Sequence, residues 1–388
     1  MKNFHLYFVI VYFLCQSGMG LSQSNYEIIY GSAQWHEIVS DVEECEPNRL
    51  LITGFKCIPN SNRYSGFLLK INETGELTDE YLFSHPDSSF FPIHMIEISD
   101  SIYVFGQKYV LLNDEKKFIW SFILDTALNI IKSTSYSLPA SILDFGIQSV
   151  KFYDGNFILL MNVTTQEEPQ FSDIGFFITN KNLDSISSMI DFREGNQLAF
   201  DFLKSFPTNY YKIFGRGNYP EAYPFYSELI KFDSNFNFIS VDSIPWKLTD
   251  QFSAVQFKDT CYLLTGKKPV TNPAKFNVGL INLSNTDELI WKEQFGKTGD
   301  TNNYPGVSNN LSFIHANYIY LGGTSNFIAL QYPWQQVDSW IMLNQFDSNL
   351  NLTFQNFYGG DAFYHLRGIQ ATNDGGCVMY ATRFDENT

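Results

Sequence analysis

The chain has 388 residues, 25 basic against 41 acidic for a formal net charge of −16, and is 44% hydrophobic and 17% aromatic. So negative a surface repels phosphate backbones and anionic headgroups, which argues against nucleic acid and membrane surfaces as partners.

Taken in chain order, residues 1–22 come first. Lys2 precedes an apolar run from Phe8 to Cys15, and Gly20 and Ser22 stand at −3 and −1 of a cut before Gln23. That is the form of a secretory signal peptide. The run is too short to cross ~30 Å of hydrocarbon, and Cys15 lacks the small residues that precede a lipidated cysteine. The expected mature chain, 23–388, is a single exported domain without membrane insertion, secreted or at the cell surface, with 24 basic and 41 acidic residues. Of its four cysteines, Cys45 and Cys57 flank one predicted strand and stand too far apart to bond. A Cys45–Cys377 pair is conceivable, and free thiols are the expected state.

A strand "YEIIYGS" (26–32) opens the mature chain. Beyond it one element recurs, a short apolar strand ending in a small residue: "LLITG" (50–54), "IYVFG" (102–106), "YKIFG" (211–215), "YLLTG" (262–266) and "IYLGG" (319–323). "FILLM" (157–161) and "VMYAT" (378–382) fill the same slot. A strand–turn–strand element follows each of the first six, such as "ELIKFDSNFNF" (228–238), and neighbouring repeats are 51 to 56 residues apart. Amphipathic helical periodicity is missing, and a period near fifty, rich in Phe, Tyr, Val and Ile, indicates four strands per repeat. The predicted fold is all-β, a seven-bladed β-propeller of four-stranded blades. First strands begin near 36, 93, 147, 198, 253, 307 and 366. The chain stops after the second strand of the seventh blade, so that blade is expected to be closed by Tyr26–Ser32 and to lack its third strand.

From Asp338 to Thr382 the sequence resembles a repeat of secreted Bacteroidetes-type proteins: "DSWIML" (338–343), "DSNLNLTFQNFYGGD" (347–361) and "IQATNDGG" (369–376). The resemblance implies an exported propeller-like protein, often followed by a type IX secretion sorting module. No such module is read in these 388 residues, so a longer gene is expected. The resemblance supplies no catalytic residues.

Chemistry-bearing motifs are few. "DSNFN" (233–237) and "DSNLN" (347–351) begin like calcium loops, but Phe238 and Leu352 replace the glycine, and Ile244 and Tyr358 the glutamate. They read as hairpin turns. "HEIVS" (36–40) lacks the second histidine of a zinc-protease motif, and "GRGNYP" (215–220) lacks the third glycine of a dinucleotide fingerprint. No cofactor or metal is expected. His94, Gln148, Gln256, Asn309, His365, Arg367 and Gln370 fall on or near first strands and form a candidate polar mouth. The insertion 325–338 offers Phe327, Tyr332 and Trp334 beside Gln335 and Gln336, a pattern suited to sugars or a protein partner. The expected function is a monomeric binding or scaffold module for a carbohydrate or protein ligand. The alternative is a glycan hydrolase or lyase at the channel mouth, which needs convergent carboxylates there.

Overall fold

The computed structural model describes residues 5–13, 26–31, 36–46, 49–57, 63–72, 74–111, 116–191, 196–205, 208–218, 226–270, 275–297, 302–314, 318–327 and 337–385. The chain opens with β1 (His5–Phe13), β2 (Tyr26–Tyr30), β3 (His36–Glu46), β4 (Arg49–Cys57), β5 (Tyr64–Ile71) and β6 (Leu77–Phe83). A four-stranded meander follows, β7 (Ser88–Ile98), β8 (Ser101–Val110), β9 (Lys116–Asp125) and β10 (Ile130–Tyr136). The next is β11 (Ile142–Tyr153), β12 (Asn156–Thr165), β13 (Asp173–Asn180) and β14 (Ser185–Asp191). Then come β15 (Asn196–Ser205), β16 (Tyr210–Asn218), β17 (Tyr226–Phe232) and β18 (Phe238–Ser243). The fourth meander is β19 (Thr249–Lys258), β20 (Cys261–Pro269), β21 (Phe276–Ser284) and β22 (Leu289–Phe295). A five-stranded sheet holds β23 (Asn303–Pro305), β24 (Leu311–Ser312), β25 (Ile319–Ser325), β26 (Trp340–Phe346) and β27 (Leu352–Gly359). Last are β28 (Phe363–Ala371) and β29 (Cys377–Asp385), which return to the first sheet.

The fold is an all-β β-propeller with four-stranded blades, as the repeat predicts. The count differs: the described residues form six sheets, not seven. One eight-stranded sheet runs β28-β29-β1-β3-β4-β5-β6, with β2 on β1. A parallel bridge between Leu6 of β1 and His36 of β3 joins the sheet of the C-terminal strands β28 and β29 to the first repeat, which were expected in separate blades. The closure holds in part. Tyr26–Tyr30 joins the sheet of β28 and β29 at the outer position expected of it, but the third strand expected to be missing is present as His5–Phe13, the segment read as a leader, which lies between β2 and β29.

The chain divides into two compact units, Met1–Ser135 with Gly296–Thr388, and Tyr136–Phe295. In each, middle strands are buried on both faces and so read as nearly unbroken apolar runs, while fourth strands such as β6, β18 and β27 are mostly exposed. In the first unit Val39, Val42, Ile52, Phe67, Val378 and Tyr380 share one core. In the second, Phe176, Phe202, Ile213, Tyr211 and Phe236 share another. Tyr211 and Phe236 stack there at 4.5 Å and 11°. No helix among the described residues is long and apolar enough to cross a membrane.

First strands carry a recurring bulge. It falls between Val39 and Asp41 in β3, Pro92 and His94 in β7, Ile147 and Ser149 in β11, Ala199 and Asp201 in β15, and Leu366 and Gly368 in β28. The extra residue bends the strand and re-aims the side chains beside it. It also explains two of the repeated glycines. Gly54 and Gly106 pair with Val39 and Pro92, and a Cβ on either would collide with the carbonyl oxygen of Ile38 or Phe91.

The calcium-like motifs form hairpin turns whose aspartates bond the local backbone. Asp233 Oδ1 accepts the N–H of Asn235 and of Asn237, each at 2.8 Å, and Oδ2 accepts Asn237 Nδ2 at 2.9 Å. Asp347 repeats this with Asn349 and Asn351, and Asp125 with Ala127 and Asn129. The fourth turn residue is left-handed each time, with φ of 62° at Phe236, 65° at Leu350 and 61° at Leu128. Cys45, Cys57, Cys261 and Cys377 form no disulfide with one another, and the last two are buried.

Candidate functional site

In the first unit polar side chains of β3, β7, β29 and the 308–310 segment come together. Asp41 is at their centre. Its Oδ1 accepts the Val42 N–H at 3.0 Å, Asn309 Nδ2 at 3.2 Å and the Tyr380 hydroxyl at 3.3 Å. Its Oδ2 accepts the Met95 N–H at 2.9 Å and lies 3.7 Å from His94 Nδ1. Burial, and next the Asp41 charge, push the Tyr380 phenol well above its ordinary range, so it stays a donor.

The second unit repeats this arrangement. Asp201 Oδ1 accepts the Phe202 N–H and the Ser149 hydroxyl, while Oδ2 accepts the Ala254 N–H at 2.8 Å and Lys151 Nζ at 3.1 Å. Asp41 and Asp201 sit at the same place beside a bulge, each bonding the next main-chain N–H and one from the following first strand. The same use in two repeats identifies them as fasteners between strands. Four donors occupy Asp41, which leaves it poorly placed to attack a substrate or move a proton.

Two charged groups on the inner strands of the first unit differ from Asp41. Glu43 lies two residues along β3, on the Asp41 face and roughly 7 Å away by strand rise. Burial, and then the charges of Asp41, Glu97 and Glu44, raise its carboxyl to about 8. It is therefore largely protonated at neutral pH. Arg367 is the bulged residue of β28. Its side chain is partly buried and makes no hydrogen bond or ion pair with a described residue. Burial lowers its proton affinity, and the one charge that opposes this belongs to the Tyr380 phenol, which stays neutral. A guanidinium withdrawn from water without a carboxylate is costly, and an oxyanion would offset that cost bidentately.

The remaining predicted residues scatter. His94 is buried against Asp41, and Asn309 bonds it. Gln148 bonds the Gly146 carbonyl of its own strand, and Gln256 bonds the carbonyls of Lys258 and Cys261 at the β19–β20 hairpin. Gln370 is half-buried on β28, opposite Val378. Phe327 is not an exposed aromatic but 9% accessible, packed on Tyr304, Phe363 and His365 with ring centroids 4.9, 5.6 and 4.5 Å away. It and His365 therefore belong to packing. Tyr332, Trp334, Gln335 and Gln336 lie outside the described residues.

Sequence reasoning missed Asp41, Glu43 and Tyr380. The letters of "HEIVSDVEEC" do not mark the bulge, which shows only in the pairing of β3 with β4 as a register shift between Val39 and Asp41. In the second unit Asp287 binds Lys212, Lys231 and Tyr262 together. Burial alone would raise its carboxyl, but those three bonds lower it. Lys212 is 1% accessible and fully engaged, so this cluster is structural. No group of three or more metal-ligating side chains occurs among the described residues.

No family model matches the chain, and no curated protein does. Solved structures match in fold. An acylaminoacyl peptidase bound to a chloromethyl ketone is 11% identical with a TM-score of 0.50, over 87% of this chain and 48% of that one. The β-propeller domain of the trilobed protease from Pyrococcus furiosus is 12% identical with a TM-score of 0.48, over 86% of both chains. The Pyrococcus horikoshii acylaminoacyl peptidase is 11% identical with a TM-score of 0.46, and the chain spans about half of its length. At these identities the likeness is one of fold.

Proposed function

We propose that this β-propeller is a binding module of an exported protein, which takes an oxyanion-bearing carbohydrate or protein ligand at Arg367. The observation that carries the reading is the half-buried Arg367 guanidinium on an inner strand, with no carboxylate among the described residues to balance it. The form of residues 1–22 and the Bacteroidetes-type repeat support export. Neutral Glu43 and the fully engaged Asp41 favour binding over catalysis, because a glycosidase needs an ionised carboxylate free to act beside an acid. The experiment is an immobilised panel of oligosaccharides and peptides, read for both retention and cleavage. Saturable retention without product release is expected. Release of shortened products would overturn the reading in favour of a hydrolase or lyase.

A further inference from the structure

β1 runs antiparallel to β29 along its whole length, from His5 opposite Asp385 to Phe13 opposite Cys377, without a bulge. On its other side β2 pairs from Phe8–Tyr30 to Tyr12–Tyr26. β1 thus fills a lane between two strands of one sheet. The strand that bounds the lane, β29, is apolar and packed on both faces, through Cys377, Met379 and Ala381 into one core and through Val378 and Tyr380 into another, and all five are 0% accessible with β1 in place. Charge enters this strand only at its far end, at Arg383 and Asp385, opposite Tyr7 and His5.

We propose that this lane is a strand-docking site that takes an extended, uncharged, apolar segment of a partner protein once His5–Phe13 has been removed. The proposal rests on the reading of residues 1–22 as a cleaved leader. Cleavage would strip β29 of one of its two neighbours and leave a row of main-chain N–H and C=O groups unpaired on an apolar strand, an edge that recruits another strand. β1 defines what fits: about nine residues in extended form, apolar opposite Cys377–Thr382, with a polar residue tolerated opposite Asp385. Main-chain hydrogen bonds would supply affinity and the apolar side chains of β29 selectivity, the mode of strand addition to a sheet edge.

The test uses the full chain. A Val9→Pro, Val11→Pro variant cannot keep β1 in the ladder. A fluorescent peptide of sequence HLYFVIVYF, with a solubilising tag, is titrated into this variant and into the wild-type chain. Saturable binding to the variant, about ten-fold or more tighter than to the wild type whose lane is filled, is the expected result. Equal binding to both, or binding to neither, overturns the proposal. Self-association of the variant in place of peptide binding overturns it too, because the occupant is then a second copy. If the variant is unfolded by circular dichroism, amide exchange of the wild-type chain decides. Loss of protection in His5–Phe13, with Cys377–Asp385 still protected, when soluble peptide competes β1 out of the lane supports a docking lane. Exchange there at the rate of an unstructured peptide rejects it.

Discussion

The carboxylate of Asp41 accepts the main-chain N–H of Met95 at 2.9 Å, tying the first strand of one repeat to the first strand of the next. Asp201 does the same for Ala254 at 2.8 Å in the second unit. Both bonds are charge-assisted and buried. Replacing either aspartate by alanine leaves several donors unsatisfied, and the Asp201 variant also strands Lys151. Each of Asp41→Ala and Asp201→Ala should lose about 2–4 kcal/mol in urea unfolding. A loss under about 0.5 kcal/mol would mean that the fasteners carry no weight.

Glu43 has a pH signature. Its folded pKa of about 8 lies above the unfolded carboxylate range, so between the two values the folded chain holds a proton that the unfolded chain has released. Folding is then unpenalised below the unfolded value, and stability falls as pH rises from about 4.5 to 8. Glu43→Gln should flatten that slope and stabilise the chain above pH 8 by about 2 kcal/mol, discounted for partial exposure. Parallel melting curves from pH 5 to 9 check this. Identical slopes in both proteins would contradict it.

The hairpin aspartates are predicted to serve turns and not calcium. The Asp347 carboxyl is held below its usual range, chiefly by the side-chain bond from Asn351. A depressed pKa stabilises above the unfolded value and is lost as pH falls through the folded one. Asp347→Ala should therefore lower the melting temperature at pH 7, with the difference shrinking on acidification. Calcium should leave both melting temperatures unchanged; a calcium-dependent rise seen only in the wild type would restore the metal reading.

Much of the architecture is legible in the sequence because strand length, spacing and turn chemistry are local. "DSNFN" and "DSNLN" make the turn their residues favour, and the repeated glycines mark close approach to a bulged strand. The sheet count is not local. An apolar run such as Leu6–Phe13 meets the needs of a leader and of a buried strand equally well, and only its partners on β29 and β3 decide which sheet it joins. The site was half legible for a similar reason. Arg367 and His94 stand out by type on inner strands, whereas Phe327 looks like a binding aromatic until Tyr304 and Phe363 are seen to cover it. Asp41 owes its role to the bulge that turns it inward.

The central claim, an oxyanion bound at Arg367, is tested most directly by an array that pairs carboxylate-bearing oligosaccharides and peptides with their carboxyl-reduced or amidated counterparts. Wild-type chain and Arg367→Gln are probed side by side. The account predicts about ten-fold or greater preference of the wild type for at least one carboxylate member over its neutral twin. It also predicts that this preference disappears in Arg367→Gln while the melting temperature holds. A wild type without preference, or a preference that survives the substitution, would contradict it.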